Sequence, residues 1–350
     1  LTDRNAHVSL PVIVPTDSDL AAALRARIDA LAKPPGALGR LEDLAVRIGA
    51  IQGRMDPRVD RVRAYVFAGD HGLNAEGVSA YPSSVTAAMV TTFLAGRASV
   101  NALARACGVE VAVVDAGVDA DLTPHPALID AKVCRGSRNA AREPALTPAE
   151  VGQALSKGMS LAEAAADEEI DALIPGEMGI GNTASAALIM HRLAPAPLAA
   201  CIGSGAGQDP AGLERKSRAL ERAAARTSAR APLDVLAQFG GLEIAMMAGL
   251  ILGGAARRRV MIIDGFISSA AALAAVRLVP AAREYCLFAH ASAERGHGAL
   301  LAAMGAEPIL GLDMRLGEGS GAVLAAPIIR AAAALTREVA SLADVIAGRP

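Results

Sequence analysis

Glu318 stands between Gly317 and Gly319 in the stretch RLGEGSGAVLAAPIIRAA (315–332), directly before a long apolar, helix-forming run. Flanking glycines free the backbone for unusual angles and let another molecule approach the main chain. An acid in that position can cap the helix that follows it, or stand as a lone carboxylate facing a molecule brought close to the loop. Other titratable residues share a placement of their own. Asp70, His71, Asp115, Glu177, Asp264 and His290 each fall just past a short apolar run.

Two glycine-rich loops could receive an anion. PGEMGIGNTASAALI (175–189) carries three glycines and then Asn182 and Thr183 at a helix start. Converging backbone N–H groups and the partial positive charge of a helix N-terminus suit a phosphate there, and an ordinary strand–helix turn capped by Asn or Thr has the same sequence. CIGSGAGQDPAGLERKSRAL (201–220) repeats the theme with Gly203, Gly205 and Gly207, but it lacks GxGxxG spacing and no Walker Lys-Ser/Thr follows. That argues against a dinucleotide fingerprint and against a P-loop. Lys216 follows on a helix with Arg215, Arg218 and Arg222, where most such cations line a solvated face and one can reach back to a phosphate.

AGDHGLNAEGVSAYPSSVTAAMV (68–90) places Asp70 beside His71. Such a pair could bind a metal with His290, His297 or Asp264 nearby. The six histidines form no HxH, HxxxH or HExxH array, so a hydrogen-bonded structural pair is expected instead, with no metal and no cofactor. No serine lies in GxSxG, and no cysteine has the context of a nucleophile.

The elements that must hold these residues are legible as alternating strands and helices. The apolar runs are VRAYVFAGDHG (62–72), VEVAVVDAG (109–117), DALIPGEMG (171–179), LAACIGSGAG (198–207), VMIIDGF (260–266) and EYCLFAHAS (284–292). Most precede an Ala-rich stretch of helical length, which predicts an α/β fold with a parallel sheet and ligands at the carboxyl ends of its strands. Residues 121–150 read as a long irregular excursion. Leu20, Leu24, Ile28 and Leu31, then Leu41, Leu44, Ile48 and Ile51, form helical stripes on either side of KPPGALG (33–39), and 325–347 is a further helical segment. Helices from both ends can therefore form a small domain (1–58 with 325–350) beside an α/β domain over 59–324.

Composition narrows the partners. The 350 residues are 53% hydrophobic, only 2% aromatic and lack Trp, and the formal net charge is −2. Neither nucleic acid nor an anionic membrane is favoured by such a chain. The opening LTDRNAHVSLPVIVPTDSDL shows no secretory signal pattern, and the apolar runs are too short or interrupted to span a bilayer. Cys107, Cys134, Cys201 and Cys286 are widely spaced, which reads as four buried, inert thiols in a reducing cytoplasm.

Taken together and in order, KPPGALGRLEDLA, FAGDHGLNAEGVSAYPSSVT, GEMGIGNTASAA, CIGSGAG, IDGFISSAAAL, FAHASAERGH and LDMRLGEGSGAVLA resemble the nicotinate-nucleotide–dimethylbenzimidazole phosphoribosyltransferases, from about Lys33 to Ile328. The resemblance implies a Rossmann-like parallel sheet with helices on both faces, a small helical domain from the two termini, and a homodimer. It also implies transfer of a phosphoribosyl group from nicotinate mononucleotide to 5,6-dimethylbenzimidazole. Glu318 matches the family's proposed general base and Glu177 its second functional acid. The matches place Gly179, Ile180, Gly181, Asn182, Thr183, Gly203, Ser204, Gly205, Lys216 and Asp264 on the phosphoribosyl and nicotinate side. Ser79, Tyr81, Pro82, Ser83, Ala88 and Leu316 fall to the benzimidazole side, with Ala88 standing where many members carry glutamine. Two other readings compete: a metal-assisted hydrolase built on the strand-end acids and histidines, and a non-catalytic nucleotide-binding protein with no need for an acid at 318.

Overall fold

Short apolar runs ending in Gly, Asp or His become parallel strands, and the Ala-rich stretches between them become the crossovers that parallel strands require. The computed structural model describes residues 8–194 and 196–349. The first seven residues of the opening stretch, and the outer ends of the two terminal segments, lie outside the described residues.

In chain order the elements are α1 (Ser18–Asp29), α2 (Arg40–Gln52), β1 (Val62–Gly69), α3 (Ser84–Leu94), α4 (Ser99–Cys107), β2 (Glu110–Gly117), β3 (Leu128–Asp130) and α5 (Pro148–Asp167). Then come β4 (Ala172–Met178), α6 (Asn182–Leu193), α7 (Leu198–Cys201), α8 (Pro210–Ala225), α9 (Pro232–Phe239), α10 (Leu242–Ala256) and β5 (Val260–Ile263). The last are α11 (Phe266–Leu278), β6 (Cys286–Phe288), α12 (His297–Ala303), α13 (Ser320–Glu338) and α14 (Leu342–Ile346).

The sheet has order β3-β2-β1-β4-β5-β6, with every named pair parallel. The chain winds outward from β1 in one direction and from β4 in the other, so their carboxyl ends open a crevice that neither crossover covers. Helices α5, α10 and α11 pack as one layer and α2, α4 and α13 as another. Val66, Phe67, Leu173, Ile174, Ile262 and Ile263 are fully buried between them. The terminal segments join: Ala32 N–H donates to Ala340 C=O at 2.9 Å, and α13 packs on α1 and α2. Helix α13 starts at Ser320 and runs without a break across residue 325.

Two expectations about elements need correction. LAACIGSGAG is not a strand: Leu198–Cys201 is one helical turn starting after Pro197, and a loop follows. Proline at the first turn favours a helix start, and the run has a single β-branched residue, Ile202. The sixth strand is instead β3, inside the supposedly irregular 121–150; three residues are too few for a period to show. The thiols also differ from expectation. All four are free, but only Cys201 and Cys286 are buried, while Cys107 at the end of α4 and Cys134 in the loop after β3 are half-buried. Among the described residues no helix is long and apolar enough to cross a membrane.

Candidate active site

A cleft of about 440 Å3 opens at the carboxyl ends of β4, β5 and β6. Glu177 reaches it from the end of β4, Asp264 from just past β5, His290 from just past β6, and Glu318 from the loop before α13.

Glu318 is held by its backbone. Its φ is +64°, between Gly317 (+91°) and Gly319 (+85°), so three successive residues take left-handed geometry. A non-glycine residue there is strained, which is sustained only where the surroundings demand it. Those surroundings are β4: Glu318 N–H donates to Glu177 C=O at 3.2 Å, and a Cβ on Gly176 would lie 2.6 Å from Glu318 C=O. The side chain does not cap its own helix, whose N-cap is Gly319. Its Oε2 accepts instead from Val100 N–H, in the first turn of α4, at 3.0 Å. One oxygen is thus anchored; the other has no protein partner among the described residues. Burial raises the Glu318 pKa, the Val100 bond opposes this, and Asp264 adds to the rise.

Glu177 is more strongly perturbed. Burial pushes its pKa up to about 8 against the hydrogen bond from Asn182 Nδ2 to Oε2, and Glu243, Asp264 and Glu318 push the same way. Gly317 has no side chain because one cannot fit: its Cβ would stand 2.2 Å from Glu177 Oε1. Two carboxylates in one cleft with unequal environments are the pattern by which one acid keeps its proton while the other loses it. Burial also raises Asp264, partly offset by His290, 3.5 Å away, and by backbone N–H groups including that of Ala322 at 2.9 Å.

The second wall is cationic. Gly181, at φ +95°, caps α6, and Asn182 and Thr183 form its first turn on the cleft. Lys216 is fully buried behind that turn, its Nζ donating to Thr183 Oγ1 at 2.8 Å and to Gly203 C=O at 2.9 Å. Burial lowers its pKa to about 8, opposed by Glu294. Glu294 Oε1 also accepts from Gly205 N–H at 3.0 Å and so fixes the loop. Arg218 and Arg222 point away into surface ion pairs with Glu214 and Glu76.

Of the residues expected on the phosphoribosyl side, Gly179, Ile180, Gly181, Asn182, Thr183, Gly205 and Asp264 line the cleft; Gly203, Ser204 and Lys216 are not in its wall, although Lys216 ties Gly203 to Thr183 behind it. On the base side Ser79, Tyr81 and Leu316 line it, with the last two half exposed at the mouth. Pro82 and Ala88 are exposed and outside the wall, and Ser83 Oγ is occupied by Asn74 Nδ2 at 3.0 Å. Val85 and Met89 take the cleft side of α3, and Ala88 sits on its exposed flank.

Three strand-end residues do other work. Asp70 Oδ2 accepts from Asp119 N–H and Asp115 Oδ1 from Val118 N–H, both in loops away from the cleft. His71 pairs with Glu243, not with Asp70, because successive residues leaving a strand point to opposite faces. Arg315, Ser292, Glu294 and His290 line the cleft without having been assigned to either side of it. Among the described residues no group of three or more His, Cys, Asp or Glu could hold a metal ion.

The comparisons agree on one kind of protein. A family model described as phosphoribosyltransferase (DBI_PRT) matches residues 13–346. The nicotinate-nucleotide–dimethylbenzimidazole phosphoribosyltransferase of Ralstonia nicotianae is 55% identical over 94% of this chain and 94% of its own length. That of Cupriavidus necator is 51% identical over 95% and 97%. A crystal structure of CobT from Thermus thermophilus superposes with a TM-score of 0.90 at 43% identity, covering 93% of this chain and 98% of that one.

Proposed function

This chain belongs to the nicotinate-nucleotide–dimethylbenzimidazole phosphoribosyltransferase family, and from that premise we propose that Glu318 is the base that takes the proton of the incoming benzimidazole. The reaction transfers phosphoribosyl from nicotinate mononucleotide to 5,6-dimethylbenzimidazole, giving nicotinate and α-ribazole 5′-phosphate in cobalamin nucleotide-loop assembly. The hydrolase and the non-catalytic readings give way to it.

One benzimidazole nitrogen attacks C1′ of the ribose while the other carries a proton, which becomes acidic as positive charge builds on the ring. As the bond to the pyridinium breaks, its electron pair returns to the pyridine nitrogen and nicotinate leaves without needing a proton. One carboxylate therefore suffices, unlike glycoside hydrolysis with its usual two. Attack from the opposite face converts the β to the α anomer.

The observation that carries this reading is the state of Glu318: anchored through one oxygen to Val100, free at the other, and held at the cleft by a strained loop. Glu177 bears its proton near neutrality and donates a hydrogen bond to a ribose oxygen, and its neutrality lets Glu318 stay ionised. The 5′-phosphate rests on the N-terminus of α6 and the 203–205 loop, with Lys216 beneath. Val85 and Met89 with Ser79, Tyr81 and Leu316 receive the base. Ala88 then leaves base selectivity to those residues. We also read the chain as a cytoplasmic homodimer with small-molecule substrates, no nucleic acid or membrane partner and no cofactor, and its joined termini as a small helical domain.

Incubation with nicotinate mononucleotide and a panel of benzimidazoles tests the proposal. Nicotinate release that requires a base, with an α-ribotide of matching mass, is expected. Release without a base, or a β product, contradicts it.

A further inference from the structure

A fully buried acid–histidine pair lies behind the cleft wall and has no part in the steps above. Glu243, in the first turn of α10, and His71, just past β1, are 0% and 2% exposed, and Glu243 Oε1 meets His71 Nε2 at 2.6 Å. His71 Nδ1 lies 3.0 Å from Ser185 Oγ on α6. Glu243 Oε2 is buried with no hydrogen-bond partner among the described residues. Leaving a carboxylate oxygen so is costly, and a hydrophobic pair would do better for stability alone.

The fold nevertheless makes room for it. A Cβ on Gly69 would lie 2.9 Å from Oε2 and one on Gly241 2.4 Å from it. A Cβ on Gly179 would lie 3.3 Å from Oε1 and, on the same side, 3.4 Å from Asn182 Nδ2. Gly179 is part of the cleft wall, and Asn182 is the amide that holds Glu177. One glycine separates the buried carboxylate from the substrate side.

We propose that Glu243, charged and aimed by His71, is a positioning residue that keeps Glu177 in its proton-bearing, hydrogen-bond-donating form. The proposal rests on the reading of Glu177 as the acid that holds the ribose. A fixed negative charge behind Asn182 opposes a second one at Glu177. After burial and the opposing Asn182 bond, Glu243 has the largest effect on Glu177, ahead of Asp264 and Glu318. Those are the charged groups facing Glu177: Glu243 from α10, Asp264 beyond β5 with His290 beside it, and Glu318 before α13. Facing the pair itself are Asp70 and the Ser185 hydroxyl. Burial opposes a charged His71 ring, but Glu243 and Asp70 outweigh it and raise its pKa.

The test is the pH profile of kcat/KM for the benzimidazole at saturating nicotinate mononucleotide, where bound phosphate keeps Lys216 charged. E243Q removes the charge and is expected to move the alkaline limb to lower pH by roughly one unit. H71Q leaves the Glu243 carboxylate fully buried without its cation, which favours its neutral form, so the limb is expected to move the same way. E177Q is expected to erase the limb. Limbs unmoved in both E243Q and H71Q, whatever their rates, overturn the proposal and leave the pair a purely structural one. Should E243Q fail to fold, H71Q decides alone, a downward shift supporting the proposal and no shift or an upward one overturning it. A wild-type limb in E177Q would instead overturn the role of Glu177 itself, a result distinct from the other two.

Discussion

E177Q should make the protein more stable while harming its function. The Glu177 pKa is raised from its ordinary 4.5 to about 8, chiefly by burial, so at pH 7 the folded chain holds a proton that the unfolded chain releases. For an acid with its folded pKa above its unfolded one, this penalty is absent below about pH 4.5. It grows as pH rises to about 8 and is constant beyond. At pH 7 roughly 2.5 units at about 1.36 kcal/mol each give about 3 kcal/mol. Glutamine has the same shape, accepts from Asn182 and never ionises, so E177Q escapes the penalty. With about 2.1 cal/mol/K per residue over the chain, the gain is a Tm rise of about 4 °C at pH 7. Denaturant melts of both proteins from pH 4 to 8 provide the assay. The expected result is equal stability near pH 4 and a gap that widens with pH. A gap that is flat across this range would show a packing effect, and no gap would refute the proton-bearing state of Glu177.

Further expectations concern the same site. K216M removes the buried cation behind Thr183 and Gly203, and calorimetric titration should show nicotinate mononucleotide bound at least tenfold more weakly. In the wild type that affinity should fall as pH rises through about 8, because the lysine then loses its charge. G317A would set a Cβ 2.2 Å from Glu177 Oε1 at a φ of +91°; a loss of about 1–2 kcal/mol in stability and of at least tenfold in turnover is expected from melts and rates. Exhaustive dialysis against chelator should leave the transfer rate unchanged, and a rate restored only by added metal would contradict the mechanism.

Much of this site is written in local sequence. The glycines around Glu318 announced a loop under constraint, and the strand-end positions of Glu177, Asp264 and His290 follow from where apolar runs stop. The burial of Lys216 was missed although spacing could have found it: it lies between Leu213 and Leu220 at helical spacing, on the buried face of α8, while Arg215, Arg218 and Arg222 take the other faces. What stayed hidden depends on contacts distant in sequence. Nothing near Glu318 says that its oxygen will meet Val100, 218 residues away, rather than the helix beside it. Nothing near His71 names Glu243 as its partner. Glu294 sits in a loop with no period, so its bond to Gly205 is known only once α12 and the glycine loop are brought together. The strand at 128–130 is created by pairing with β2 and has too few residues to declare itself.

The central claim is proton removal by Glu318, and the most direct measurement is single-turnover transfer by E318Q beside its affinity for nicotinate mononucleotide. The account predicts a folded variant that binds the nucleotide normally and transfers at least about 100-fold more slowly. Transfer at the wild-type rate by that variant would contradict it.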